Sequence, residues 1–177
     1  MKLNEQFGDQ KSLQIVISDS SVIIDLAKAS LIEAAFALPF DFRIPDVMFE
    51  DELLDLGAYD PGDLLNAGLA KNSLDGDGVG LAMQYGETYL SLSTNDQFAL
   101  ALAKIESAIL LTGDRRLSNA AKDQEVETFG LLWLIDELIA QDALGRRVLR
   151  NALQIFDDDP RVGLPSSELQ RRIQGLT

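Results

Sequence analysis

Residues 92–117, LSTNDQFALALAKIESAILLTGDRRL, decide the fold because they join a helix to a buried strand. The Ser-Thr-Asn run at 93–95 can cap the helix, and the apolar side chains of Phe98, Leu102 and Ile105 recur at helical spacing. This pattern predicts a helix that begins at the cap and buries one side.

The apolar run that follows predicts a strand with an acid just beyond its end. Residues 108–111 are short, continuous and apolar, as in a strand covered on both faces. Thr-Gly-Asp comes next, so Asp114 lies beyond the carboxyl end of the strand, where parallel α/β folds bind their ligands. Asp96, in the first turn of the preceding helix, can point to the same edge. Two acids at one edge of a sheet suggest a cation site.

The other predicted elements alternate between strands and helices. Residues 13–17 form a β-branched run that ends in Ser-Asp-Ser-Ser, which predicts a first and central strand followed by Asp19. An apolar helix over 22–38 is broken by Pro39, and Pro45 and Asp46 open a helix over about 46–56. Further helices are predicted over 61–67, 78–86, 117–122, 130–141, 145–156 and 166–174, short strands at 42–44 and 126–129, and a strand or loop at 69–74.

Composition narrows the class of protein. A chain of 177 residues with 46% hydrophobic residues can form one domain with a substantial core. We expect a polar tail over 1–12, a main domain over 13–140 and a helical extension over 141–177 packed on the same domain. No apolar run reaches the roughly 20 residues of a membrane span, and the first residues lack the apolar core of a signal peptide, so a cytoplasmic protein is expected.

The absence of cysteine and histidine limits the chemistry. Without cysteine there is no disulfide framework or thiol nucleophile, and without histidine there is no histidine-dependent triad or imidazole ligand. Any metal must therefore bind oxygen, which suits Mg²⁺ or Mn²⁺. The segment DGDGVG at 75–80 resembles a calcium loop but has Val79 at the third ligand position and Gly86 in place of the bidentate glutamate. We interpret it as a turn into the next helix.

Charge is unevenly distributed. The formal charge is −14, which opposes the binding of a polyanion. Residues 1–90 hold 5 of the 15 Lys and Arg residues against 16 of the 29 Asp and Glu residues. Six arginines lie in the last 32 positions and form the one candidate phosphate-contacting surface, although any one of them is more often an ordinary solvated side chain: Arg146, Arg147, Arg150, Arg161, Arg171 and Arg172.

Four carboxylates are the candidate site residues: Asp19, Glu50, Asp96 and Asp114. Each has a structural alternative, since an acid after a strand or in the first turn of a helix is often a cap, and Asp96 can close a capping box with Ser93. Their joint placement at one edge of the predicted sheet favours a site, because several carboxylates in one cleft need a cation or protons.

The order of these motifs resembles PIN-domain proteins, notably the small prokaryotic type that includes the VapC-like toxins. The matching segments cover about residues 14–140, and LPSSELQRRI near the C-terminus is similar to the extension of some members. They are ISDSSVIIDLAK, IPDVMFEDEL, LSTNDQFALALA, ILLTGDRRLSNAA and FGLLWLIDELI.

The resemblance implies a three-layer α/β/α sandwich with a parallel sheet and a nuclease that uses Mg²⁺ or Mn²⁺ to hydrolyse RNA to 5′-phosphate and 3′-hydroxyl ends. Asp19, Asp96 and Asp114 match the family's metal-binding aspartates. Glu50 is our preferred match to its helix-borne glutamate, because it shares a helical side with Asp46, and Glu52 is the reserve.

Partners and secondary roles follow from the resemblance or from position. A toxin's antitoxin protein and a homodimer are expected on the resemblance alone. Thr112 and Ser20 can hydrogen-bond the carboxylates or simply shape the turns. A catalytically silent binding module is the main alternative function. A dehalogenase-type phosphatase is disfavoured because Ser21 stands where the second aspartate of its Asp-x-Asp motif belongs.

Overall fold

The protein has an all-parallel five-stranded sheet with helices on both faces. The computed structural model describes residues 12–176, so most of the predicted tail over 1–12 lies outside the described residues. The sheet order is β3-β2-β1-β4-β5, with β1 central. The strands are β1 Gln14–Ser18, β2 Phe40–Pro45, β3 Ala70–Asn72, β4 Ile109–Leu111 and β5 Thr128–Phe129. The predicted α/β fold, with its three layers, is confirmed.

Ten helices and one 3-10 turn connect or flank these strands in the described residues. They are α1 Ser20–Lys28, α2 Ile32–Phe36, α3 Asp46–Glu52, α4 Pro61–Ala67, α5 Gly76–Thr88, α6 Thr94–Ile105, α7 Arg115–Asp123, α8 Leu131–Ala140, α9 Arg146–Asp158, the 3-10 turn Pro160–Val162 and α10 Ser166–Gly175. None of the helices described is both long and apolar enough to cross a membrane.

Alternation along β2 shows how the two faces are covered. Phe42 lies 5.2 Å from Phe36 of α2, and Phe40 lies 5.3 Å from Trp133 of α8, measured between ring centroids. Arg43, the residue after Phe42, points to the opposite face and lies 3.2 Å from Glu106 at the end of α6. The sheet is therefore sandwiched between an α2 and α8 layer and an α6 layer.

The C-terminal helices pack into the same core. Phe156 of α9 and Leu169 of α10 are fully buried, and they belong to one continuous apolar cluster with Val16 and Ile17 of β1. Because the cluster is continuous, the last two helices are part of the packed body of the protein.

Two predicted helices have different bounds in the structure. The single helix over 22–38 is wrong: Ser30 adopts a left-handed conformation with φ of 55°, and the Leu31 N–H donates to the Leu26 carbonyl at 2.9 Å, so the chain closes α1 and restarts as α2. The helix over 46–56 ends at Glu52, because Leu53 buries its side chain fully and leaves helical geometry. The DGDGVG segment is confirmed as a helix start, with Asp75 capping α5 through the Gly78 N–H at 2.9 Å.

Candidate active site

The site is built where the neighbouring strands β1 and β4 end. Asp19 follows β1 directly, and its backbone N–H donates to the Leu111 carbonyl at the end of β4 at 2.8 Å. Chain connections leave β1 and β4 in opposite directions along the sheet, which opens a crevice beyond the strand ends. A cleft of about 750 Å³ lies there, and its acidic lining residues are Asp19, Asp25, Glu52, Asp96 and Asp114.

Asp19 is a buried carboxylate without a cationic partner. It is 6% exposed and accepts hydrogen bonds from Thr112 Oγ1 and Ser21 Oγ, each at 2.9 Å. No lysine or arginine of the described residues forms an ion pair with it. Burial raises the pKa of Asp19, the negative charge of Asp96 raises it further, and the hydrogen bonds from Thr112 and Ser21 oppose both. A divalent cation would relieve this cost.

The structure brings Glu52 to the cleft in place of Glu50. Glu52 accepts a short hydrogen bond from Ser20 Oγ and one from Asn95 Nδ2 at 2.5 Å. Thr112 and Ser20, for which carboxylate bonding and a turn role were both left open, each donate to a carboxylate.

Glu50 points to the edge of the sheet, so the preference for it as the residue facing the site is wrong. Its carboxylate lies 3.6 Å from Lys71 Nζ on β3. Asp46, one turn earlier, accepts a hydrogen bond from Ser73 Oγ just after β3 at 2.5 Å. Asp46 and Glu50 do share a helical side, as expected, but that side of α3 faces β3 and not the crevice.

Asp96 lines the cleft and also closes a helix cap. Its side chain accepts the Ser93 N–H at 2.9 Å, while Ser93 Oγ accepts the Asp96 N–H at 3.1 Å. This is the capping box left open as an alternative. Capping and cation binding are compatible, because a carboxylate has two oxygens with two lone pairs each.

Asp114 lines the cleft as the cap of α7 and is paired with an arginine. It accepts the Arg116 N–H at 2.6 Å, and Arg116 Nη2 lies 2.7 Å from its other oxygen. The Arg116 side chain holds the pKa of Asp114 below its usual value, with backbone hydrogen bonds adding to the effect. Arg116 therefore occupies part of the space that a cation bound to Asp114 would share.

The acidic side chains line one cleft but do not converge on a single position. Among residues 12–176, no group of three or more acidic side chains is placed to hold a metal ion as it stands. The donor set nevertheless suits a hard cation, because all the donors are oxygens. Asp19 is buried without a counter-charge, and the charge of Asp96 contributes to the raised pKa of Asp19. A cation shared by these carboxylates requires side-chain rearrangement, including at Asp114, which is paired with Arg116.

A segment near the C-terminus supplies another wall of the cleft. Arg161, Val162, Gly163 and Leu164 line it together with residues 130–132 at the start of α8. Of the six arginines named as a candidate phosphate-contacting surface, Arg161 is the one among the lining residues of this cleft. Arg171 and Arg172 are instead held in ion pairs with Glu168, at 2.6 and 3.0 Å.

Sequence reasoning passed over two polar residues of the cleft or its border, Asn95 and Arg116, and named Arg161 only as one of six candidate phosphate-contacting arginines. Asn95 was considered only as a helix cap, although it precedes Asp96 and so enters the site with it. Arg116 and Arg161 each stand two positions after an aspartate that caps a helical turn. This repeated Asp-x-Arg spacing could have indicated that each arginine folds back onto its aspartate.

Comparison with known proteins agrees with the fold. The family model of the PIN domain matches residues 15–175. Neither the comparison with curated proteins nor the one with solved structures produced a match. Proteins of this family are generally nucleases and typically use divalent metals. Since the match runs through all five strands and the C-terminal helices, the chain belongs to the PIN-domain family.

Proposed function

We propose that this PIN-domain protein is a metal-dependent endoribonuclease that hydrolyses phosphodiester bonds of RNA. The observation that carries the proposal is the meeting of Asp19, Glu52, Asp96 and Asp114 in one cleft beyond the ends of β1 and β4. A buried carboxylate, Asp19, whose pKa is raised by burial and further by the charge of Asp96, is an arrangement that favours cation binding.

The chain's own residues have distinct tasks in this proposal. Asp19, Asp96 and Asp114 would hold Mg²⁺ or Mn²⁺, with Glu52 beside them. Ser20 and Asn95 hold Glu52 from two sides, and Thr112 and Ser21 hold Asp19, so both carboxylates are oriented before substrate arrives. The bound ion would neutralise phosphate charge and lower the pKa of an attacking water. No histidine is needed as a base.

Cleavage assays on paired variants test the proposal. Purified protein is incubated with single-stranded RNA in Mg²⁺, Mn²⁺ or EDTA, and product ends are mapped. We expect cleavage with either ion, none in EDTA, and 5′-phosphate ends. Asp19→Asn should lower kcat by more than about 100-fold, since even residues that only orient ligands are worth 10- to 100-fold.

The two glutamates of α3 provide the sharpest control. Glu52→Gln should lower kcat by about 10- to 100-fold, whereas Glu50→Gln should change it less than about twofold, because Glu50 only pairs with Lys71 at an exposed site. Equal effects of the two substitutions would contradict the assignment of Glu52. Full activity of Asp19→Asn would contradict the proposed site.

A catalytically silent binding module is the second candidate, and one observation favours it. Asp96 and Asp114 are both engaged as helix caps, and Arg116 is already paired with Asp114. In that case no cleavage occurs in either metal, and titration calorimetry with Mn²⁺ gives no binding heat. The nuclease proposal requires both RNA cleavage and heat from Mn²⁺ binding.

The proposed cellular role is that of a toxin with an antitoxin partner, and its support is the resemblance of the motifs. Induced expression of the wild-type chain should arrest growth, and Asp19→Asn should not. Growth that is equally slow with both would reject this role without bearing on RNA cleavage. Light scattering of the purified chain tests the expected homodimer separately.

A further inference from the structure

We propose that residues 159–164 form a binding subsite for the nucleotide next to the scissile phosphate of single-stranded RNA, with Arg161 on a phosphate and Leu164 on the base. The inference rests on the proposed function, because it names how the same cleft holds its substrate.

The turn is anchored at the cleft by charged contacts. Asp159 caps it, accepting hydrogen bonds from the Arg161 N–H at 3.0 Å and from Arg161 Nε at 2.8 Å. Lys28, at the end of α1, lies 3.5 Å from Asp159 and 2.9 Å from Asp25, which itself lines the cleft. Since Asp19 caps the same helix α1, the turn and the carboxylate site are held by one element.

The conformation of the turn exposes Arg161 and directs the next residues along the cleft. Gly163 has a φ of 68°, a left-handed conformation that ends the 3-10 turn. The Arg161 side chain is 81% exposed, and only Nε and Nη2 are bonded to Asp159. Its Nη1 group has no hydrogen-bond partner among residues 12–176, so it can donate to a phosphate oxygen.

Charge in this part of the cleft is balanced, unlike that around the carboxylates. Asp25, Lys28, Asp159 and Arg161 sum to zero, so a phosphate is not repelled there. Arg116 and Arg161 are the cationic side chains among the described lining residues, and Arg116 stands among the acids, paired with Asp114 and near the charge of Asp96. Arg161 is thus the cleft group best placed to meet a polyanion.

Apolar side chains beside Arg161 complete the subsite. Val162 and Leu164 are half-buried and packed against the core, and Leu131 and Leu132 of α8 line the same part of the cleft. A pocket with apolar walls and a few placed polar groups suits a flat, polar-edged ligand such as a base. The base must be unstacked to enter, which favours single-stranded RNA.

Salt-dependent binding tests the phosphate contact. Anisotropy is measured in Mn²⁺ with a labelled, single-stranded phosphorothioate RNA that resists hydrolysis, over a series of KCl concentrations. Arg161→Gln should reduce the slope of log Kd against log salt by about 0.7, the value for one phosphate contact on a single strand. Arg171→Gln is the matched control, because Arg171 is 69% exposed, pairs with Glu168 and lies outside the cleft lining. Its slope should equal that of wild type.

A second variant tests the base contact. Leu164→Ala should weaken binding by about three- to tenfold at every salt concentration without changing the slope, as expected for lost apolar burial. Against an RNA with abasic residues, Leu164→Ala and wild type should bind equally. Thermal unfolding of each variant is measured alongside, and a variant that is unfolded is replaced by Val162→Ala.

The outcomes separate this inference from the proposed function. An unchanged slope in Arg161→Gln, an equal change in Arg171→Gln, or no wild-type binding at the lowest salt overturns the subsite. RNA cleavage with an unchanged slope overturns the subsite alone. The predicted slopes without any cleavage support the subsite and overturn the nuclease.

Discussion

Two short turns of the molecule share one local motif and differ in their surroundings. In each, an aspartate caps a helical turn and the arginine two positions later folds back onto it. Arg116 Nη2 lies 2.7 Å from Asp114 Oδ2, and Arg161 Nη2 lies 3.0 Å from Asp159 Oδ2. Each arginine holds the pKa of its aspartate below the usual value. Local sequence alone would assign both turns the same role.

The two turns differ in the charged side chain that lies next to each Asp-Arg pair. Near Arg116 it is Asp96, whose charge raises the pKa of Arg116, so the turn stands in an acidic surplus. Near Asp159 it is Lys28, which brings that turn to charge balance. The comparison teaches that the same Asp-Arg pair can belong to a cation site or to an anion site, depending on long-range neighbours.

The strongest test removes the aspartate from each turn. Asp114→Asn should lower RNA cleavage by more than about 100-fold, because it removes a proposed metal ligand. Asp159→Asn should lower cleavage far less, because asparagine also caps a helical turn and Asp159 is not a proposed metal ligand. Cleavage kinetics and urea unfolding are measured on both. Equal losses of kcat would remove the distinction between the turns.

The comparison also shows what local sequence can predict. The order of strands and helices follows from short-range signals: Asp60 and Asp63 form a capping box with Pro61 in the first turn, and the predicted helix over 61–67 has those bounds in the structure. Asp19 and Asp114 were placed at one sheet edge because each follows a buried strand. Their chemical roles stay predictions.

Features that depend on long-range contacts were beyond the sequence. The left-handed Ser30 splits a mostly apolar segment that the sequence predicts as a single helix. The choice between Glu50 and Glu52 depends on which side of α3 meets β3 and which meets Asn95, a residue 43 positions away. Arg161 reaches the cleft because Asp159 contacts Lys28 across the fold. No local pattern carries such information.

A smaller effect is expected from removing the arginine next to Asp114. In Arg116→Gln the carboxylate no longer has a competing cation, so Mn²⁺ should bind about two- to fivefold more tightly, in keeping with the modest strength of an exposed ion pair. Arg115→Gln is the matched control, since Arg115 is exposed, adjacent and of the same charge. Titration calorimetry measures both. Weaker binding in Arg116→Gln alone would mean that the arginine assists the site.

The raised pKa of Asp19 predicts the direction in which the free energy of unfolding changes with pH. Its folded pKa is raised, so the folded protein holds this proton more tightly than the unfolded chain does. Without metal, the free energy of unfolding should therefore fall as pH rises through the range just above 3.8, and Asp19→Asn should lack that fall. Asp123→Asn, an exposed loss of the same charge, serves as control. Chemical unfolding in EDTA across pH measures the difference, and a parallel dependence in Asp19→Asn would contradict the burial argument.

The smallest effect concerns Asp159 itself. Its pKa is lowered from 3.8 to about 2, first by the hydrogen bond from Arg161 and in lesser part by Lys28. A lowered pKa means that the contacts stabilise the fold above pH 3.8 and are lost as pH falls toward 2. Carboxyl NMR should show the Asp159 midpoint moving up toward 3.8 in Arg161→Gln, and moving less in Lys28→Gln. If the larger rise occurred in Lys28→Gln, Lys28 and not Arg161 would hold the charge of Asp159. Arg161 would then already be free to meet a phosphate, and the two turns would differ in structure as well as in surroundings.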